Sequence, residues 1–295
     1  MASLKEIKRK IKSVKNTQKT TKAMKLVSTA KLNRAKEVAR RAKFYANKIV
    51  EVLSEISLNL NTISAEDKRF VLFQQREQVK NVDIIFITAD KGLCGGFNVK
   101  TIKTTMDMIR HYKAEGVGVR IRAVGKTGID FLRFQGIEPL QSYLGLSASP
   151  DYEKACGVIN AAVEDYLAGL SDKIIIVHNG YKNMISQELR VDKLIPVEPM
   201  AVQDTAKMSK SALELEPESD ELMNELIKTY FEYSMYFALI DSLAAEHSAR
   251  MQAMDSATNN AKEMVRKLSL AYNKARQESI TTELTEIVSG VESMK

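Results

Sequence analysis

Helix breakers are missing from both ends of this sequence. No Gly or Pro precedes Gly92, and none lies between Pro217 and Gly290. There is no Trp, and the only two cysteines, Cys94 and Cys156, form no CxxC pair and no cluster with the three histidines. That spacing excludes a disulfide framework or a structural zinc site and fits a reducing, cytoplasmic compartment. The strongest apolar runs, near Ile84–Ile87 and Ile174–Val177, are far too short to span a bilayer, and the N-terminus is too charged for a signal peptide. A protein soluble by itself is expected. No nucleophile, base and orienting group stand at a recognisable spacing, so neither catalysis nor a cofactor or metal is expected of this chain.

What is present is dominated by the stretch from Ser219 to Ser289, which uninterrupted makes a helix about 105 Å long. Alternating steps of four and three from Leu226 pass through Tyr230, Tyr233, Phe237 and Ile240 and reach Tyr272 and Ala275, broken only by His247 and Thr258. An apolar repeat of period 3.5 held this long requires a partner helix, because on a straight helix the stripe would rotate away. The partner is at the other end of the chain. From Leu4, Ile7, Ile11 and Val14 the same repeat runs to Leu60 and Ile63, and its four polar members, Gln18, Thr21, Lys25 and Ser28, are consecutive. Ser3 with Glu6 has capping-box spacing.

The middle of the chain differs in kind. Twelve of thirteen Gly and all five Pro fall between Gly92 and Pro217. Short β-branched runs at Val82–Thr88, Val119–Val124, Lys173–His178 and Arg190–Pro196 alternate with helical patterns at Asn98–Lys113, Lys126–Phe134 and Asp151–Leu167, the last with Ser149 as N-cap and Pro150 in the first turn. Such alternation predicts parallel βαβ units. Residues 198–218 read as an exposed loop. The expected fold is mixed α+β and α/β: a long antiparallel two-helix coiled coil of segments 1–63 and 219–295 with a central Rossmann-like βαβ domain at 64–218.

The two seams also predict a register. If Leu4 meets Ala275, paired residue numbers sum to about 279, placing Ile11 near Leu268, Ile7 near Tyr272 and Thr21 beside Thr258. The segment from Arg276 onward is then a single helix.

Three motifs invite a chemical reading. Thr88–Phe97 (TADKGLCGGF) lies between a strand and a helix, where a phosphate loop would be, but it is neither GxGxxG nor a Walker A, and a structural or partner-facing turn is preferred. Gly125-Lys126-Thr127 mimics the end of a Walker A, yet Arg120 stands where the first Gly is required. Cys94 has no His or second Cys beside it to make a reactive thiol. Charge is the remaining signal. The net charge is +7, whereas residues 1–48 alone carry 16 Lys and Arg against Glu6 and Glu37, a surplus of 14. A basic coiled-coil nucleic-acid-binding protein would show that surplus, and so would a helix pair whose positive surface faces acidic segments of a protein partner.

Ile11–Leu32 (IKSVKNTQKTTKAMKLVSTAKL), Thr88–Asn98 (TADKGLCGGFN) and Ser248–Gly290 together resemble the gamma subunit of the bacterial F-type (H+-transporting) ATP synthase over nearly the whole chain. The resemblance implies a non-catalytic central rotor shaft that couples proton-driven c-ring rotation to ATP synthesis or hydrolysis. It implies as partners three alpha and three beta subunits, the epsilon subunit and the c-ring, with no nucleic acid. It implies peripheral association with the cytoplasmic face of the bacterial plasma membrane, indirectly through the c-ring. Carried over by residue, Lys22, Met24 and Lys25 lie at or beside the family's KAM element near the acidic lever of beta. Arg276, Gln277, Thr281 and Glu283 match polar contacts of the upper shaft with the ring, and Cys94 belongs to a loop that faces beta from the side.

Overall fold

The computed structural model describes residues 4–59, 72, 76, 78–197 and 220–294, and of residues 46, 47, 50–59 and 220–223 the backbone alone. Expectations for Ser3, Leu60, Ile63 and the loop 198–218, and for the side chains of Ala46, Leu53 and Ile56, fall outside what is described. Helix α1 (Leu4–Asn59) and helix α5 (Asp220–Glu292) are each unbroken, as the lack of helix breakers requires. The chain divides into two compact units, one of residues 1–29 with 250–295 and the other of residues 30–249.

In the first unit the two helices pack antiparallel. On α1 the less exposed positions are Leu4, Ile7, Ile11, Val14, Gln18, Thr21, Met24, Lys25, Ser28 and Thr29, the predicted seam with Met24 and Thr29 added. On α5 the seam from Met254 through Ala261, Leu268 and Ala275 is shielded at the predicted spacing, extending to Ser279. The Thr258 and Thr21 hydroxyl oxygens lie 2.8 Å apart, and Lys25 Nζ lies 2.6 Å from Asp255 Oδ1. These contacts fix the predicted register.

In the second unit the sheet order is β3-β2-β1-β4-β5. Strands β1 (Asn81–Ile87), β2 (Gly118–Val124), β3 (Gln141–Tyr143) and β4 (Lys173–Tyr181) pair in parallel, whereas β5 (Gln187–Ile195) pairs antiparallel to β4. This corrects the all-parallel expectation for the fourth run: only residues 182–186 separate Tyr181, the end of β4, from Gln187, the start of β5, too few for a crossover helix, so the chain turns back as a hairpin. The short strand β3 has no apolar run and was not read from sequence. Helices α2 (Phe97–Ala114) and α3 (Lys126–Phe134) cover one sheet face, where Ile109, Ile129 and Leu132 meet Ile84, Phe86, Ile175 and Val177. Helix α4 (Tyr152–Leu167) and the first part of α5 cover the other, where Ile85, Ile87, Ile174 and Ile176 meet Val158, Ile159, Phe231 and Met235. Coverage on both faces is why β1 and β4 read as continuous apolar runs rather than alternating ones.

One cap also differs from expectation. Asp151, not Ser149, is the N-cap of α4: its extended backbone lets Oδ1 accept from Lys154 N at 3.0 Å, and Pro150 precedes the cap.

Candidate functional site

The first unit presents its chemistry on outward-facing side chains. Lys5, Lys8, Arg9, Lys10, Lys12, Lys15, Lys19 and Lys22 are all exposed, because the seam uses only every third or fourth residue and leaves the rest to solvent. Met24 is half-buried beside the seam. Lys25 is also half-buried and is held by Asp255, so of the three residues in that group Lys22 is the one fully presented outward. On α5, Lys267 donates to Glu263 at 2.8 Å, and this bond, followed by the lysine's charge, holds the Glu263 carboxyl below its usual range.

Among the described residues, none of α1 pairs with α5 beyond Ala275 in this register. Arg276, Gln277, Thr281 and Glu283 are all exposed there. Thr281 Oγ1 donates to the Gln277 carbonyl at 2.9 Å, and Glu283 accepts from Ser279 at 3.3 Å. Ile280, Leu284, Ile287 and Val291 form an exposed apolar stripe along this tip, each at least 45 % exposed. Sequence reasoning missed that stripe. The signal was available, since the spacing of four, three and four is helical, but the stripe is offset from the seam followed up to Ala275.

The second unit holds the turn between β1 and α2. Its position is that of a phosphate loop, but its one carboxylate, Asp90, turns to the donors of the neighbouring turns. Asp90 Oδ1 accepts from Lys126 N at 2.9 Å and Gly145 N at 3.2 Å, while Oδ2 accepts from Ser147 Oγ at 2.8 Å and Ala148 N at 3.2 Å. The carboxylate thus sits on the first turn of α3, where that helix would favour an anion. Asn98 folds back to accept from Ala89 N at 2.9 Å and to donate to Cys94 Sγ at 3.5 Å. Cys94 is only 2 % exposed, packed among Ala89, Phe97, Ala245 and Ala249. The side chains that the turn offers outward are Lys91 and Leu93, the latter 62 % exposed and at φ +62°, in a region that a bulky residue rarely occupies.

Gly125 explains the Walker-like triplet without a nucleotide. Its φ is +95°, and a Cβ there would lie 2.0 Å from the Thr88 carbonyl oxygen, so glycine is required by a close crossing of β1 and β2 ends. Nearby, Asp241 on α5 gathers Arg190 Nη1 at 2.9 Å, Tyr181 N at 3.1 Å and His178 Nε2 at 3.4 Å, tying that helix to the β4–β5 hairpin.

A family model described as ATP synthase matches residues 3–294. The ATP synthase gamma chain of Campylobacter jejuni subsp. jejuni serotype O:23/36 is 66% identical over 100% of both chains. The chain belongs to the ATP synthase gamma-chain family. The Campylobacter lari gamma chain is 61% identical, again over 100% of both. Among solved structures, a chain from the Euglena gracilis mitochondrial ATP synthase OSCP/F1/c-ring assembly has the same fold, with a TM-score of 0.66 at 17% identity over 99% of this chain and 94% of that one. A chain from the Tetrahymena thermophila mitochondrial ATP synthase central stalk and c-ring gives 0.58 at 24% identity, covering 81% of this chain and 99% of that one. As a gamma chain this protein is a non-catalytic subunit of the ATP synthase. The basic surplus on α1 is thus that of a gamma chain. Among the described residues no helix is long and apolar enough to cross a membrane.

Proposed function

We propose that this gamma chain is the central rotor shaft that carries rotation between a proton-driven c-ring and a catalytic ring of three alpha and three beta subunits. In this reading segments 1–63 and 219–295 supply the shaft, and 64–218 the domain that meets epsilon and the c-ring. Attachment to the cytoplasmic face of the bacterial plasma membrane is then indirect, through the c-ring. The observation that carries the reading is the register: with Thr21 against Thr258, the described residues of α1 reach Ala275 of α5, and beyond it Arg276, Gln277, Thr281 and Glu283 are exposed, as contacts with the ring require. Lys22, Met24 and the turn at Leu93–Cys94 are the remaining contacts, with Lys22 and Leu93 facing outward and Lys25 acting within the helix pair.

Rotation can change three catalytic sites in turn only if the shaft offers each beta subunit a different surface, because a contact equal in all orientations biases nothing. The two helices differ in charge and in length beyond the seam, so no rotation by a third of a turn superimposes the shaft on itself. The test is assembly. Native mass spectrometry of the complex purified from its source is expected to show one copy of this chain with three alpha and three beta subunits, and its absence from such an assembly would overturn the reading.

A further inference from the structure

Four charged side chains meet inside the second unit, where no contact described above uses them. Asp83 on β1 is fully buried, and so is Arg122 on β2. Arg122 Nη1 lies 3.4 Å from Asp83 Oδ2, and Arg120 Nε lies 4.0 Å from the same oxygen. Asp165 on α4 then closes the chain, because its Oδ2 accepts from both Arg120 and Arg122. Arg122 Nη2 also reaches the Ala161 carbonyl at 3.3 Å, so the Arg122 guanidinium makes two of the three contacts from α4 to this cluster and Arg120 makes the third.

The cluster is under-satisfied. Neither oxygen of Asp83 has a hydrogen-bond partner, and neither do Arg122 Nε, Arg122 Nη1 or Arg120 Nε. A buried carboxylate without hydrogen bonds is costly in its charged form and much less so when protonated. The groups facing Asp83 can be named by element: Arg120 and Arg122 from β2, Asp165 from α4 and the Tyr143 phenol from β3, while β4 sets Ile174 opposite it. Only the two arginines favour its charge.

We propose that the Asp83–Arg122–Asp165–Arg120 chain is a proton-operated latch, which holds α4 on the first two strands while Asp83 carries a proton and loosens α4 when that proton is lost. When Asp83 is neutral, Arg122 belongs to Asp165 and Ala161, both on α4. When Asp83 is charged, it competes for the same guanidinium from β1, and hydrating the bare carboxylate requires α4 to lift. Burial supports this assignment by pushing the Asp83 carboxyl up to about 6, against the pull of Arg122 and Arg120.

The sign is fixed by linkage. Asp83 has a higher affinity for its proton when closed than when open to water, so its contribution to closure is full below the ordinary carboxylate value and is lost as pH rises through about 6. Between pH 5 and 7.5 the opening equilibrium of α4 should rise roughly tenfold and then level off.

Hydrogen exchange on the full-length chain tests this, with protection factors corrected for intrinsic exchange. The expected result is a roughly tenfold loss of protection in α4 (Tyr152–Leu167) from pH 5 to 7.5, no comparable loss in α2 on the opposite sheet face, and a flat α4 profile in Asp83→Asn. A flat wild-type α4 profile would overturn the proposal, as would equal losses in α2 and α4, which would mean general loosening. Persistence of the transition in Asp83→Asn would assign it to another group. If that variant does not fold, the wild-type comparison of α2 with α4 still decides.

Discussion

Thr258 donates to Thr21 across the seam, with their hydroxyl oxygens 2.8 Å apart, one heptad position from the Lys25–Asp255 ion pair. The Thr258 proton has a second acceptor, the Met254 carbonyl at 2.7 Å, and Thr21 donates to the Gln18 carbonyl at 3.1 Å. Neither hydroxyl is therefore left unpaired if the other is removed. Their role is to mark one register, since a slip of seven residues would set Thr21 against Met251 or Val265 and Thr258 against Val14 or Ser28, and would lose the threonine pair either way.

That register can be trapped chemically. With Cys94 and Cys156 replaced by Ser, Ile11→Cys paired with Leu268→Cys should form a disulfide rapidly, while Ile11→Cys with Ala261→Cys or Ala275→Cys should not, because bridging needs Cα atoms within about 7 Å. Non-reducing electrophoresis reads the outcome. The double replacement Thr21→Val with Thr258→Val should keep or raise the melting temperature while allowing the wrong cysteine pairs to appear.

Charge on α1 separates into two roles. Lys25 and Asp255 are 38% and 48% exposed, so Asp255→Asn should cost only about 0.2–1 kcal/mol, less at high salt. Lys19 and Lys22 are exposed, and reversing both to Glu should leave helicity intact but weaken assembly or ATP-driven proton pumping, most strongly at low salt. Including Lys25 in the reversal would confound the two, because a glutamate there would oppose Asp255. Unchanged pumping in the double variant would remove the contact role from this patch.

Gly125→Ala should destabilise the sheet unit by about 2–4 kcal/mol, since its Cβ would meet the Thr88 carbonyl in a backbone conformation already unfavourable to alanine. Denaturant unfolding measures this. Glycine at 157, where a Cβ meets nothing within 4 Å and the chain is already in α4, should instead gain stability on replacement by alanine, by roughly 0.5–1 kcal/mol.

Acid should act on Asp172 in the opposite sense to Asp83. Burial pushes its carboxyl up, but the Asn81 and Lys80 amides and the Arg76 guanidinium outweigh burial and leave it below its usual range. A depressed folded value means stability that is present above about pH 4 and is lost as pH falls through that lower value. Arg76→Gln should make the loss of melting temperature between pH 5 and pH 3 shallower, and an unchanged slope would show that the two amides alone set the depression.

The seam was legible because a coiled coil writes its geometry directly into spacing: Leu4, Ile7, Ile11 and Val14 face Ala275, Tyr272, Leu268 and Val265 with no information needed from elsewhere in the chain. The same rule failed earlier on α5. Between Ile227 and Arg250 the helix is shielded on more than one side, and Ile227, Phe231, Met235 and Ala238 form a second apolar row against the sheet. Reading a single seam assigned Leu226, Tyr230 and Tyr233 to the buried face and passed over Phe231 and Met235, which are more deeply buried. A helix with two partners has two overlapping periodicities, and a search for one finds one. Cys94 shows a different limit. The motif located the turn, but which of Leu93 and Cys94 points inward depends on the positive φ at Leu93, a property that residue types do not announce.

The unpaired end of α5 has a mechanical consequence. Up to Ala275 a twist applied along the helix pair is resisted by two hydrogen-bonded ladders packed side by side. From Arg276 to Glu292 no described residue of α1 adds a second ladder, and Gly290 within that stretch adds no side-chain packing. Elastic slack is therefore concentrated in the last turns, so whatever grips those turns is driven through a soft spring, and the seam behind them moves as a rod.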